Sequence, residues 1–163
     1  MKRLKQTIAA TIIAIIALTL LLLADDDGPV VARQAPDWSV QTLSGKTVGK
    51  NSGKGKVVIL DFWSTSCLPC VASIPQENEF IKSLNHKAEV IGITADPPSV
   101  VRKFLHSHPM SANIGLDPSG KTSGSFRVEA LPTAIIIDRF GNMVYKQTPP
   151  DYNVLKQVVA QYL

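Results

Sequence analysis

Cys67 and Cys70 are the only two cysteines of the 163-residue chain, spaced C-L-P-C. Ahead of them lies the apolar run V-V-I-L-D-F-W from Val57 to Trp63, of strand length. Behind them Val71, Ile74, Phe80, Ile81 and Leu84 recur near helical spacing. The pair therefore falls where a strand buried on both faces gives way to a helix. Two intervening residues let the sulfurs meet across a first helical turn. A disulfide closing so small a loop removes little unfolded-chain entropy, so stabilisation alone explains it poorly. A four-thiolate zinc site is excluded, since there is no second thiol pair. Position favours chemistry instead. Unpaired N–H groups and the positive end of the dipole at a helix N-terminus stabilise a thiolate. The spacing predicts thiol–disulfide exchange, with Cys67 attacking an external disulfide and Cys70, one turn in, resolving the mixed disulfide.

The elements that must hold this pair follow from periodicity. Trp38 to Leu43 and Lys46 to Val48, joined by Ser44-Gly45, predict a short hairpin. Lys56 to Trp63 and Glu89 to Thr94 predict buried strands, with a helix from Leu68 to Leu84 between them that Pro75 should kink. Pro98 to His106 predicts a helix with Val100, Val101, Phe104 and Leu105 inward, and a short strand follows near Ala112 to Leu116. Ala134 to Asp138 and Asn142 to Lys146 flank Gly141 as a second hairpin. Asp151 to Leu163 closes as an amphipathic helix with Val154, Leu155, Val158 and Val159 inward. Strands alternating with helices predict an α/β domain around a mixed sheet, from residue 35 to residue 163.

The net charge of +4 is located, not spread. Lys2, Arg3 and Lys5 precede an uncharged stretch from Ile8 to Ala24, and beyond it 14 basic residues face 13 acidic ones. A near-neutral body offers no footprint for nucleic acid. The seventeen residues 8–24 reach about 25 Å as a helix, at the short end of what crosses a bilayer. Asp25, Asp26 and Asp27 follow, so the positive-inside rule places everything beyond them across the membrane. Residues 1–24 are thus a membrane anchor or a cleaved signal peptide, and export is expected under either reading. Residues 25–34, with Gly28 and Pro29 and no apolar periodicity, read as a tether.

From the strand through the cysteines, V-V-I-L-D-F-W-S-T-S-C-L-P-C resembles the thioredoxin superfamily, and so does Leu131-Pro132-Thr133 before A-I-I-I-D. The anchor, A-P-D-W at residue 35, the early hairpin and R-F-G-N make it most similar to the membrane-anchored TlpA/ResA-like thiol–disulfide oxidoreductases. The resemblance covers residues 35–163 and implies a thioredoxin fold with an added N-terminal β-hairpin, preceded by one transmembrane helix. It implies exchange on exported protein thiols or disulfides, most often as a reductase in cytochrome c maturation. Electrons would come from a membrane donor of the reductant-transporter type. The location implied is the bacterial inner membrane, with the domain on the extracytoplasmic side. Pro132 is implied to be cis and to face the disulfide, leaving the Leu131 backbone to pair with an extended substrate. Asp61 matches the buried acid of thioredoxin. A carboxylate in an apolar strand should have a raised pKa and accept the Cys70 proton; its plainer role is that of an inert strand-end carboxylate. Trp63 is read as core packing beside the site or as a substrate contact. Two positions depart from the family: Ser66 stands where Trp commonly precedes the first cysteine, and Ser73 where Glu commonly follows the second.

Other chemistries compete. A disulfide-donating oxidase or isomerase would use the same residues. His106 and His108, with the two thiolates, suggest copper handling, although related copper carriers have three residues between their cysteines. A peroxidase would need Pro and Thr where Leu60 and Ser64 stand. No cofactor or resident metal is expected.

Overall fold

The computed structural model describes residues 28–163. The anchor expected over residues 8–24 lies outside the described residues. Among those described, no helix is long and apolar enough to cross a membrane.

The described chain forms one eight-stranded mixed sheet and four helices. The strands are β1 (Gly28–Gln34), β2 (Ser39–Thr42), β3 (Thr47–Gly49), β4 (Val57–Phe62), β5 (Ala88–Thr94), β6 (Asn113–Leu116), β7 (Thr133–Ile137) and β8 (Asn142–Gln147). The helices are α1 (Leu68–Ser83), α2 (Pro98–Ser107), α3 (Lys121–Ser125) and α4 (Tyr152–Ala160). Strand order is β1-β8-β7-β4-β5-β6-β2-β3. β4 runs parallel to β5 and antiparallel to β7, and β5 runs parallel to β6.

β4 is buried along its whole length, as its unbroken apolar sequence requires. Successive side chains go to opposite faces. Val57, Ile59 and Trp63 join the core under α1, α2 and α4, with Phe80, Val101 and Leu155. Val58, Leu60 and Phe62 join the opposite core, with Trp38, Val40 and Phe126. By the same parity Asp61 points toward the helices. α1 runs unbroken through Pro75, whose ring faces solvent.

The early hairpin forms as expected, and β2 also pairs antiparallel with β6, so β2 and β3 extend the main sheet. Two expectations need correcting. Residues 28–34, expected as part of a tether, pair antiparallel with β8 as an edge strand. Val30 and Val31 have high strand propensity, which the neighbouring Gly and Pro obscured. Val100 was expected inward but is exposed; α2 buries only Val101 fully, since one narrow stripe meets the sheet.

The hairpin docks closely because position 115 has no side chain. A Cβ on Gly115 would lie 2.5 Å from Val40 Cγ2 and 3.2 Å from Ile91 Cγ2. Gly115→Ala is therefore expected to cost about 1–3 kcal/mol in urea unfolding. Adding Val40→Ala, which removes the struck methyl, should cost less than the two single changes summed. Simple additivity would show that this contact is not the source.

Candidate active site

β4 ends at Phe62, whose register partner is Thr133 at the start of β7. The cysteine turn and the Leu131-Pro132 bond therefore leave the sheet at the same end. Two backbone N–H bonds tie the turn to the end of β5 and the loop after it, and one further link lies within the turn. Trp63 donates its backbone N–H to the carbonyl of Ile93 at 3.0 Å, and Thr65 donates its backbone N–H to Asp96 Oδ2 at 2.6 Å. Ser64 and Ser66 link through their hydroxyls at 2.9 Å.

Cys67 is the N-cap of α1, and its sulfur accepts the N–H of Cys70 at 3.3 Å. Pro69 in the first turn suits a position whose missing N–H has no partner to lose. The two cysteines are joined as a disulfide. Cys67 is half-buried, while Cys70 is only 3% exposed. A partner can thus reach one sulfur and is kept from the other. Leu131 precedes a cis peptide bond to Pro132. Pro132 is buried, Leu131 is 39% exposed and Leu68 between the cysteines is 82% exposed, so two apolar side chains reach solvent on the segments that leave the sheet here.

Behind the disulfide lies a cluster of buried acids. Asp61 is 3% exposed and accepts a hydrogen bond from the Tyr152 hydroxyl at 3.2 Å on Oδ2. Glu77, on the inner face of α1, is 2% exposed and neighbours Asp61 in the core. Burial pushes the Asp61 carboxyl up to about 7, offset in part by the hydrogen bond from Tyr152 and by the neighbouring Glu77. Burial, then the Asp61 charge, pushes Glu77 higher, to about 9. Tyr152 is also raised, first by burial and then by the two carboxylates. On α1 the Ser73 hydroxyl donates to the Cys70 carbonyl at 2.8 Å.

The structure brings Cys67, Cys70 and the Leu131-Pro132 bond to one end of the sheet and places Asp61 beneath. Trp63 is 3% exposed and packs against Phe104, with ring centroids 5.5 Å apart. His106 is exposed, and His108 stacks on Phe104 at 4.3 Å. Among the described residues no group of three or more His, Cys, Asp or Glu side chains is placed to hold a metal.

Glu77 and Tyr152 were missed in the sequence. The signal for Glu77 was present: it falls three residues after Ile74 and three before Phe80, inside the buried stripe of α1. Tyr152 lies three before Leu155 and seven before Val159, on the face of α4 that they bury.

Comparison with known proteins agrees with this geometry. Residues 31–146 match the model of the AhpC/TSA family. A thiol–disulfide oxidoreductase ResA of Bacillus cereus is 33% identical over 125 residues, 76% of this chain and 72% of that one. The thioredoxin-like protein YneN of Bacillus subtilis is 32% identical over 113 residues, 67% of this chain and 66% of that one. Among solved structures, a Chlorobium tepidum protein assigned as the thiol:disulfide interchange protein DsbE superposes with a TM-score of 0.72 at 28% identity. That match covers 85% of this chain and 99% of the other. The chain belongs to the AhpC/TSA family of thioredoxin-like proteins, as one of its ResA-like thiol–disulfide oxidoreductases.

Proposed function

We propose that this chain is an extracytoplasmic disulfide reductase acting on exported proteins, with Cys67 as nucleophile, Cys70 as resolving thiol and Asp61 as proton acceptor. The observation that carries the reading is the unequal exposure of two cysteines at the N-terminus of α1. The reachable sulfur is the one that caps the helix, where the unpaired N–H groups favour a thiolate.

In the reduced protein the Cys67 thiolate attacks one sulfur of a substrate disulfide. That S–S bond breaks, and a substrate thiolate leaves with the bonding pair. The remaining half is held to Cys67 as a mixed disulfide. Cys70 gives its proton to the Asp61 carboxylate and attacks the Cys67 sulfur, expelling the second substrate thiolate. Two electrons have passed to the substrate, and Cys67–Cys70 is a disulfide again. The Leu131 backbone beside Pro132 would pair with the extended substrate, and Leu68 and Leu131 would favour apolar flanks. A membrane donor of the reductant-transporter type would restore the dithiol. The apolar segment 8–24 would hold the domain at the outer face of the cytoplasmic membrane. Apocytochrome c thiols are the substrate class that the ResA-like resemblance supports.

Cys67→Ser should abolish exchange, and Cys70→Ser should trap mixed disulfides with partner proteins. A Cys70→Ser variant that traps nothing would remove the assigned roles. Asp61 accepts a proton only when ionised, so the wild-type rate should rise as pH passes about 7. Asp61→Asn should lose that rise, and an unchanged rate–pH profile would strip Asp61 of its role. The equilibrium potential of Cys67/Cys70 tests direction. A value near or below about −270 mV fits a reductase, and one nearer about −120 mV fits a donor of disulfides.

A further inference from the structure

Glu77 has no task in the exchange steps above, yet it occupies one of the buried positions of α1 with Cys70, Ile74 and Phe80. Burying an unpaired carboxylate costs several kcal/mol, so such groups are normally met by a cation or by several donors. The titratable groups that face Glu77 are Asp61 from β4 and Tyr152 from α4, which are acids themselves. Glu77 Oε1 and Asp61 Oδ1 are both buried, and neither receives an N–H or a hydroxyl. Two neighbouring buried carboxyls without other donors are satisfied when one carries a proton and offers it to the other.

We propose that Glu77 is a positioning residue for exchange, its protonated carboxyl donating a hydrogen bond to the Asp61 carboxylate so that the two acids hold one proton between them at rest. This rests on the reading of Asp61 as acceptor of the Cys70 proton. When Cys70 resolves the mixed disulfide, its S–H bond breaks and sulfur keeps the electron pair. The proton goes to Asp61, taking the pair from one proton to two. Once the disulfide has formed, the extra proton returns to solvent. Burial alone would keep Asp61 protonated and useless as an acceptor over much of the neutral range. A donor from Glu77 lowers the cost of its charged form, as the hydrogen bond from Tyr152 on Oδ2 also does. The order of the two raised values agrees, since Glu77 holds its proton to higher pH than Asp61.

The test uses the full chain, with two substitutions and two readouts. Infrared spectra of the oxidised protein at about pH 8, between the two values, should show a protonated-carboxyl C=O band. The band should vanish in Glu77→Gln and persist in Asp61→Asn. Its absence from wild type, or its loss in Asp61→Asn alone, would overturn the pairing. In exchange assays Glu77→Leu removes the donor, so the rise of rate with pH should move to more alkaline pH, with about tenfold slower turnover at neutral pH. Glu77→Gln keeps an N–H donor and should bring the midpoint back toward wild type. A midpoint in Glu77→Leu equal to that of wild type would reduce Glu77 to a structural residue. Wild type that shows no exchange at any pH would instead fail the reading of Cys67 and Cys70, on which the spectrum does not depend.

Discussion

Strand β4 is paired along both edges and covered on both faces, and the site takes its position from that confinement. A strand held in this way has no freedom of register. A slip of one residue would turn every side chain to the other face and set Val58, Leu60 and Phe62 against helices shaped to receive Ile59 and Trp63. Parity then obliges Asp61 to lie under the helical layer. The strand's end likewise determines where α1 begins, and with it the placement of the two sulfurs.

The same confinement explains why the acids behave as they do. Neither carboxyl can turn to water, because β4 is sealed by its neighbours and Glu77 by the packing of α1 against α4. Such groups weaken the folded state, since ionising them is easier in the unfolded chain. As pH rises from the ordinary carboxylate range through about 7 for Asp61 and about 9 for Glu77, the unfolded chain binds fewer protons than the folded one and stability falls. A core that retains two acids against that slope is consistent with a functional use for them.

Much of this was legible in the sequence, for identifiable reasons. C-L-P-C at a strand–helix junction specified both the chemistry and its place, because an apolar run, a cysteine spacing and a helical pattern all met there. Asp61 stood out as the one charge in an apolar strand. The cis bond at Pro132 was expected only through family resemblance, since nothing in the bare residues distinguishes it from other prolines. Glu77 was obscured by its surroundings: with Gln76, Asn78 and Glu79 beside it, Q-E-N-E reads as a solvated turn of helix. Only counting from Ile74 and Phe80 places it inside. Edge strand β1 and the five-residue α3 were missed because their signals are short and rich in Gly, Pro or Ser, and long-range pairing or packing settles them.

The outer borders of the sheet have a consequence for how the protein meets other chains. Among the described residues the eight-stranded sheet ends at two edge strands, and an open edge is a template for joining a second molecule. One rim is β1, where the register is irregular between Pro29 and Arg33 and proline brings no N–H. The other is β3, only three residues long. Both are poor templates for continued strand growth, so accidental stacking of copies edge to edge is discouraged. Leu131, by contrast, enters β7, an interior strand lying away from either rim. Under the proposed function, the sheet borders are thus unsuited to other extended chains, and a substrate would be engaged beside Leu131, away from either rim.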